Sequence, residues 1–336
     1  MLPQLRFGHA GVSEPSRTCR GHGIGENVNR KLSEGGTRSQ AVRRIVFFVV
    51  CTISLLATVT SVEARVRPAG RSGSSDLAGA RVVSSVDEAI AAGAGPVLFR
   101  AGTYRGRFEQ PAGSSWYASP GTHIKGELVS GEGSVLSGFE VSGGEVGVVC
   151  RGVCQNLDVH HHSQSGIHVG SDGVKLLNNY VHDNNLDLNP VFRGNPCWSS
   201  GGVHMVVGNN VVVEGNRLIH NGCDGVHADI GMRFGSFRDN VSEKNTRFGV
   251  FIETSCDQVV EQNTIRNNNS AGVYIGNSPR VRVINNTFGG NGIGIEWKDR
   301  PVRNYAPGAV DCSPKTKAGG TQSGNALNGD TVINQP

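Results

Sequence analysis

A short phrase recurs through the second half of the chain: glycine, then apolar, variable, apolar and variable positions. It stands at Gly166-Ile-His-Val, Gly202-Val-His-Met, Gly225-Val-His-Ala, Gly249-Val-Phe-Ile, Gly272-Val-Tyr-Ile and Gly292-Ile-Gly-Ile, at spacings of 36, 23, 24, 23 and 20 residues. The long interval holds an extra loop near residues 186–200, with Pro190, Gly194 and Pro196. A second phrase keeps step with the first. Asn216, Asn240, Asn263 and Asn286 are each followed five residues later by another asparagine (Asn221, Asn245, Asn268, Asn291), and Asn179 and Asn184 obey the same rule. Of 27 asparagines, 21 lie between 156 and 291, so they belong to the repeat.

A unit of about 23 residues is too short for a helical hairpin, and its apolar positions alternate with the period of a strand. No unit can bury its own apolar face, so each must stack on the next. Asparagine suits tight left-handed turns, and its amides can bond up a stack as a ladder. The pattern predicts an all-β fold, a single-stranded parallel β-helix with coils spaced roughly 4.8 Å apart. A leucine-rich repeat has a similar period but needs leucine at fixed sites, where these coils use Val, Ile and Asn.

On these residues, from about Val82 to Trp297, the chain resembles the right-handed parallel β-helix superfamily, often called pectin-lyase-like. The opening is similar too. Ser85-Val-Asp-Glu-Ala-Ile-Ala-Ala reads as an N-terminal capping helix with Ser85 as N-cap. Val97-Leu-Phe-Arg-Ala-Gly-Thr-Tyr looks like the family's first strand and turn. The resemblance implies a right-handed helix. It says less about activity, since the superfamily includes lyases, epimerases, hydrolases and non-catalytic adhesins.

Residues 1–64 read as a polar leader plus a secretory signal peptide. Arg43-Arg44 precedes an apolar core at 45–59, and Val62-Glu63-Ala64 offers a cleavage site. Uncleaved, the apolar core would be a membrane anchor. Residues 65–80 form a Gly/Ser/Arg-rich linker, 81–300 the β-helix, and 301–336 a partly irregular tail. The first 64 residues hold eight Lys/Arg and four acids, leaving 24 of each sign in the rest. That balance gives no reason to expect nucleic acid as a partner. The expected setting is extracellular, with a monomeric chain facing a polysaccharide. Six cysteines follow the leader (Cys150, Cys154, Cys197, Cys223, Cys256, Cys312), enough for three disulfides in an exported protein. A Cys197–Cys223 bridge would pin the 186–200 loop.

Strand alternation sorts the phrase into inward first and third positions and outward second and fourth positions. The second positions form a column of His168, His204, His227, Phe251, Tyr274 and Gly294; the fourth, Gly170, Val206, Asp229, Glu253, Gly276 and Glu296. Column neighbours lie about 5 Å apart when the register holds. His227, His204, Asp229 and Glu253 are therefore the candidate catalytic residues. His168, Trp198, Arg233, Lys244, Arg247, Phe251, Tyr274 and Glu296 are candidate substrate contacts, with Trp198 able to stack on a sugar ring. His160, His161, His162, His182 and His220 are read as turn residues beside the asparagine ladder, His161 on the ladder position itself. Asp224 is read as an Asp-Gly turn. A straight histidine column does not offer tetrahedral geometry, so no metal site is assigned; Ca²⁺ stays open as a cofactor.

A long strand-built face suits an extended polymer, and the superfamily resemblance implies polysaccharide. Abstraction of the proton beside a uronate carboxylate, by a lyase or C5-epimerase, needs a base and a neutralising cation. His227 or His204 would be the base, and Arg247, Arg233 or Lys244 the cation. Asp224-Gly-Val-His-Ala-Asp229 loosely resembles the acidic-histidine-acidic signature of β-helical alginate epimerases, which place His and Asp side by side after Pro; here Ala228 stands between them. The second reading is glycoside hydrolysis by Asp229 and Glu253, whose expected separation fits retention. The third is a non-catalytic carbohydrate-binding or adhesion module, with the ring column as its platform.

Overall fold

A computed structural model describes residue 77 and residues 79–188, 194–299 and 317–335. The apolar segment 45–59, the signal peptide, most of the linker and Cys312 lie outside the described residues. Within them, every strand pairing is parallel, and the chain winds as a single-stranded β-helix. From Asp158 onward each coil carries three strands. The first wall is an eleven-stranded sheet running from Arg81–Val83 to Gly320–Ser323. The second stacks Asp158–His160, Tyr180–His182, Arg217–Ile219, Val241–Glu243, Thr264–Arg266 and Thr287–Gly289. The third stacks Ser165–Val169, Gly201–Val206, Asp224–Asp229, Phe248–Glu253, Ala271–Gly276, Ile293–Lys298 and Thr331–Gln335. The long strand Glu140–Cys150 pairs with both the second and the third wall, so the two merge in the early coils. Near the start, Val86–Ala91 is helical; Ser85 Oγ accepts the Glu88 N–H, and Val86 and Ala89 turn into the core.

The inward positions of the third wall stack like on like. Ile167, Val203, Val226, Val250, Val273 and Ile295 are all buried, and burying each such side chain contributes roughly 1.5–3 kcal/mol. Two asparagine ladders close the corners beside the second wall. One runs Asn179, Asn216, Asn240, Asn263, Asn286 and Asn325, each Nδ2 donating to the next Oδ1 at 2.9–3.1 Å. The other runs Asn184, Asn221, Asn245, Asn268 and Asn291 and ends on Asp330. Every rung also accepts a backbone N–H from the preceding coil, which satisfies donors that the turns would otherwise bury unpaired.

The glycine of the repeat is required by close approach. A Cβ on Gly249 would lie 2.7 Å from Gly272 O and 2.8 Å from Asn268 Nδ2; Gly225 and Gly272 are as tight against Gly249 O and Gly294 O. The column begins earlier than the sequence phrase, at Gly147, and ends at Gly294 instead of Gly292. Gly292 is a turn residue with φ +77°. The last repeat therefore sits two residues later than expected, and Glu296 pairs with Tyr274, at the end of the ring column instead of the carboxylate column.

Four other positions differ from expectation. The ladder position belongs to His162, not His161. His162 is buried, its N–H donates to Asn184 Oδ1, its Nδ1 accepts the Gly144 N–H, and its Nε2–H donates to Val141 O. The imidazole thus replaces the amide as the first rung. His160 and His182 lie in second-wall strands instead of turns; the strands are only three residues long, with the central valine buried and the histidines on the outward side. Asp224 opens a strand and is fully buried; the left-handed residue is Cys223. Cys197–Cys223 and Cys150–Cys154 are disulfides, and Cys256 is disulfide-bonded as well. Beyond the last repeat phrase, Gly320–Ser323 and Thr331–Gln335 add strands to the first and third walls. Among the described residues no helix is long and apolar enough to cross a membrane.

Candidate functional site

The third wall sets His168, His204, His227, Phe251, Tyr274 and Glu296 in one outward column, each on its neighbour's register partner. Successive rings touch. His168 and His204 have centroids 5.3 Å apart, His204 and His227 meet edge-to-face at 5.3 Å, and His227 stacks on Phe251 at 4.3 Å and 14°. Phe251 then meets Tyr274 at 5.1 Å. This outer face was expected to be open. It is covered: His204 and His227 are each 2% exposed, Phe251 1% and Tyr274 5%. Part of the cover is local, because Phe248, Phe251, Ala271 and Tyr274 form a second apolar cluster outside the main core.

Arg247 and Asp224 lie one coil apart and pair. Arg247 Nε donates to Asp224 Oδ1 at 2.8 Å, and Nη2 donates to Oδ2. The Phe248 N–H adds a third bond to the carboxylate at 3.2 Å. The guanidinium carbon stands 5.0 Å from the Phe248 and Phe251 centroids, a cation–π arrangement. Burial disfavours the Arg247 charge, but Asp224 outweighs it and holds the guanidinium protonated.

His227 sits between two carboxylates without a hydrogen bond to either. Its Nδ1 is 3.8 Å from Asp224 Oδ2, already committed to Arg247, and its Nε2 is 3.4 Å from Glu253 Oε2. Both ring nitrogens are buried and unpartnered. An orphaned buried polar atom costs about 1–3 kcal/mol, so a native site holding two of them calls for an explanation. His204 Nε2 is 3.6 Å from Asp229 Oδ2, too long for a hydrogen bond, and its Nδ1 faces His168 Nδ1 at 3.3 Å. Burial pulls His204 below the ordinary imidazole value against the pull of Asp229. Burial, reinforced by His204, brings His168 down to about 4. Burial favours the neutral form of Asp229, but the two imidazoles and the Ile230 N–H at 2.9 Å outweigh it and keep the carboxylate ionised.

The other expected contacts are scattered. Lys244 is an exposed left-handed turn residue 3.4 Å from Glu243. Arg233 lies on the turn beyond Asp229, bridged to Asn209 and Cys256. Trp198 is half-buried beside the Cys197–Cys223 bridge. Glu296 pairs with Lys298 at 3.6 Å. The structure therefore brings together His168, His204, His227, Asp229, Glu253, Arg247, Phe251 and Tyr274. It adds Asp224, which the sequence reading assigned to a turn; the available signal was an acid 23 residues, one coil, before Arg247. His227, Asp229 and Glu253 have ligand atoms within 4.8 Å of one another and could hold a metal. They offer few of the 6–8 oxygens that Ca²⁺ takes.

The right-handed β-helix family profile matches residues 126–299, a little over half of the chain, and the protein belongs to that family. No curated protein matches the sequence significantly. Among solved structures, an alginate lyase from Paenibacillus sp. is similar at TM-score 0.51 and 10% identity, covering 76% of this chain and 97% of that one. The A-module of a mannuronan C-5 epimerase from Azotobacter vinelandii is similar at TM-score 0.44 and 16% identity, covering 77% and 95%. The surface adhesin PfbA of Streptococcus pneumoniae is similar at TM-score 0.48 and 11% identity, covering 74% of each chain. At these identities the likeness is one of fold.

Proposed function

We propose that the protein acts on a uronate-containing polysaccharide by removing the proton beside the sugar carboxylate, as a lyase or C5-epimerase, with His227 as the base. The observation that carries this reading is the pair of orphaned nitrogens on His227, held between Asp224 and Glu253. A neutral imidazole with a free lone pair is what a general base near neutral pH needs. Asp224, fixed by Arg247, holds its carboxylate 3.8 Å from the Nδ1 side of the ring. Arg247 keeps 22% of its side chain exposed and Glu253 14%, so these two form the rim that a polymer would meet. Arg247 is the cation available to the substrate carboxylate. Transfer to Nε2 requires Glu253 to rotate off it. The base takes the C5 proton, and the electron pair left behind delocalises into the carboxylate. C5 then either takes a proton from solvent on the opposite face or forms the C4–C5 double bond as O4 departs and takes up a solvent proton. The disulfides, typical of oxidising compartments, and the likeness to an alginate lyase support an exported protein facing such a polymer.

Asp229 and Glu253 favour a second reading. Their oxygens lie within 4.8 Å, near the ~5–5.5 Å carboxyl separation of retaining glycosidases. The test is a panel of uronate polymers scored for unsaturated product by ultraviolet absorbance and for new reducing ends. Unsaturated product that disappears in His227→Gln supports elimination. Reducing ends without unsaturation, lost in Glu253→Gln, would transfer the assignment to hydrolysis. Saturable binding with no product, and no solvent-proton exchange into the polymer, would make the protein a binding module.

A further inference from the structure

A second titratable cluster lies on a different wall. On the second wall, Glu140, Asp158 and Tyr180 form one outward column, and Ser142, His160 and His182 the next. Asp158, His160 and His182 make a triangle, two residues on one strand and one on its neighbour, and their ligand atoms lie within 4.8 Å of one another. All three are half-buried, so solvent reaches them. The His160 and His182 rings stack at 5.0 Å and 23°, and His160 Nδ1 is 2.7 Å from His161 Nδ1. His182 Nε2 is 3.0 Å from Asp158 Oδ1, inside the triangle. Its other nitrogen, Nδ1, is 2.6 Å from Asp183 Oδ2, and Asp183 is held in turn by His220 Nδ1 at 2.5 Å. Glu140 lies 3.4 Å from His160 Nε2.

We infer that Asp158, His160 and His182 bind a first-row divalent cation, Zn²⁺ above all, with Asp183 as the outer carboxylate that orients His182. A metal-bound imidazole commonly donates its remote N–H to a carboxylate, which fixes the tautomer and turns the lone pair toward the metal. Asp183 stands where that carboxylate belongs. Two imidazoles and a carboxylate match the borderline ligands that zinc prefers and are too few oxygens for Ca²⁺. Zinc bonds of about 2.0–2.2 Å put ligand atoms roughly 3.4 Å apart; His182 Nε2 and Asp158 Oδ1 are already 3.0 Å apart, and all three ligand atoms lie within 4.8 Å of one another. Glu140 or water completes the shell. The arrangement is local: along the same two columns the following coils carry Arg217 and Ile219, Val241 and Glu243, Thr264 and Arg266, an ordinary surface with a Glu243–Arg266 ion pair at 2.9 Å.

The test is titration calorimetry of the full chain with Zn²⁺ alone, repeated for three variants. The parent should bind one equivalent that His160→Ala/His182→Ala lacks. Asp183→Asn, which preserves shape and packing, should weaken that equivalent roughly 10–100-fold. His227→Ala should leave it unchanged, since the other His/Asp/Glu cluster is on the third wall, and excess Ca²⁺ should not displace it. Absence of saturable zinc binding in the parent, equal affinity in the double variant, or loss in His227→Ala alone would overturn the assignment.

Discussion

At the scale of single residues, His162 shows how one imidazole can stand in for an amide. Its Nδ1 and Nε2 make the two bonds that Asn184 makes one coil later, to a backbone N–H and a carbonyl. That role requires the neutral form, and burial brings its pKa down to about 4, as for His168. Unfolded, both titrate near 6.5. Below that pH the unfolded chain takes up protons that the folded one refuses, so stability falls as pH drops from about 6.5 to about 4, by on the order of 3 kcal/mol per histidine. Urea melts across that range should show the loss. His162→Asn keeps the rung and should remove about half of this acid sensitivity while preserving stability at pH 7. Asp224 and Arg247 test the buried pair. Asp224→Ala strands a mostly buried guanidinium and should cost about 3–5 kcal/mol, whereas replacing both partners with apolar residues should cost clearly less. A double-mutant cycle by denaturation measures the difference.

At the scale of the coil, stability rests on columns, so position along a column decides the cost of a change. Asn245 bonds Asn221, Asn268, Leu218 O and Ser242 within the buried ladder. Asn245→Ala should therefore destabilise by on the order of 3 kcal/mol, against about 1 for Asn325→Ala at the end of the other ladder. Gly249→Ala forces a methyl against the backbone of the next coil and should be worse than either. These columns were legible because the repeat carries its own register: the ladder spacing and the strand period agree. The failures have physical causes. Gly292 and Gly294 lie two apart, and only the stacked structure separates the turn glycine from the column glycine, which moved Glu296. The second wall's strands are three residues long, with a single inward position each, too little to stand out as a strand period, which hid His160 and His182. The buried outer face depends on Arg247 and Phe248, which precede the repeat glycine and lie outside the phrase used to find the columns.

At the scale of the whole molecule, the described residues form a stack of similar coils, and two polar clusters among them break the pattern. One is the buried His204–His227 site on the third wall, and the other the accessible Asp158–His160–His182 triangle on the second. The stack alone fixes only the family; the candidate sites lie in the few coils where the outward positions are not bland. In the proposed function His227 moves a carbon-bound proton of a uronate. The most direct measurement of that step is incubation of uronate polymers in D₂O with the parent chain and with His227→Gln, followed by NMR of the sugar C5 position and of any unsaturated end. The parent should give C5 deuterium or 4,5-unsaturated ends, and the variant neither. Equal exchange or elimination by the two proteins would contradict the proposal.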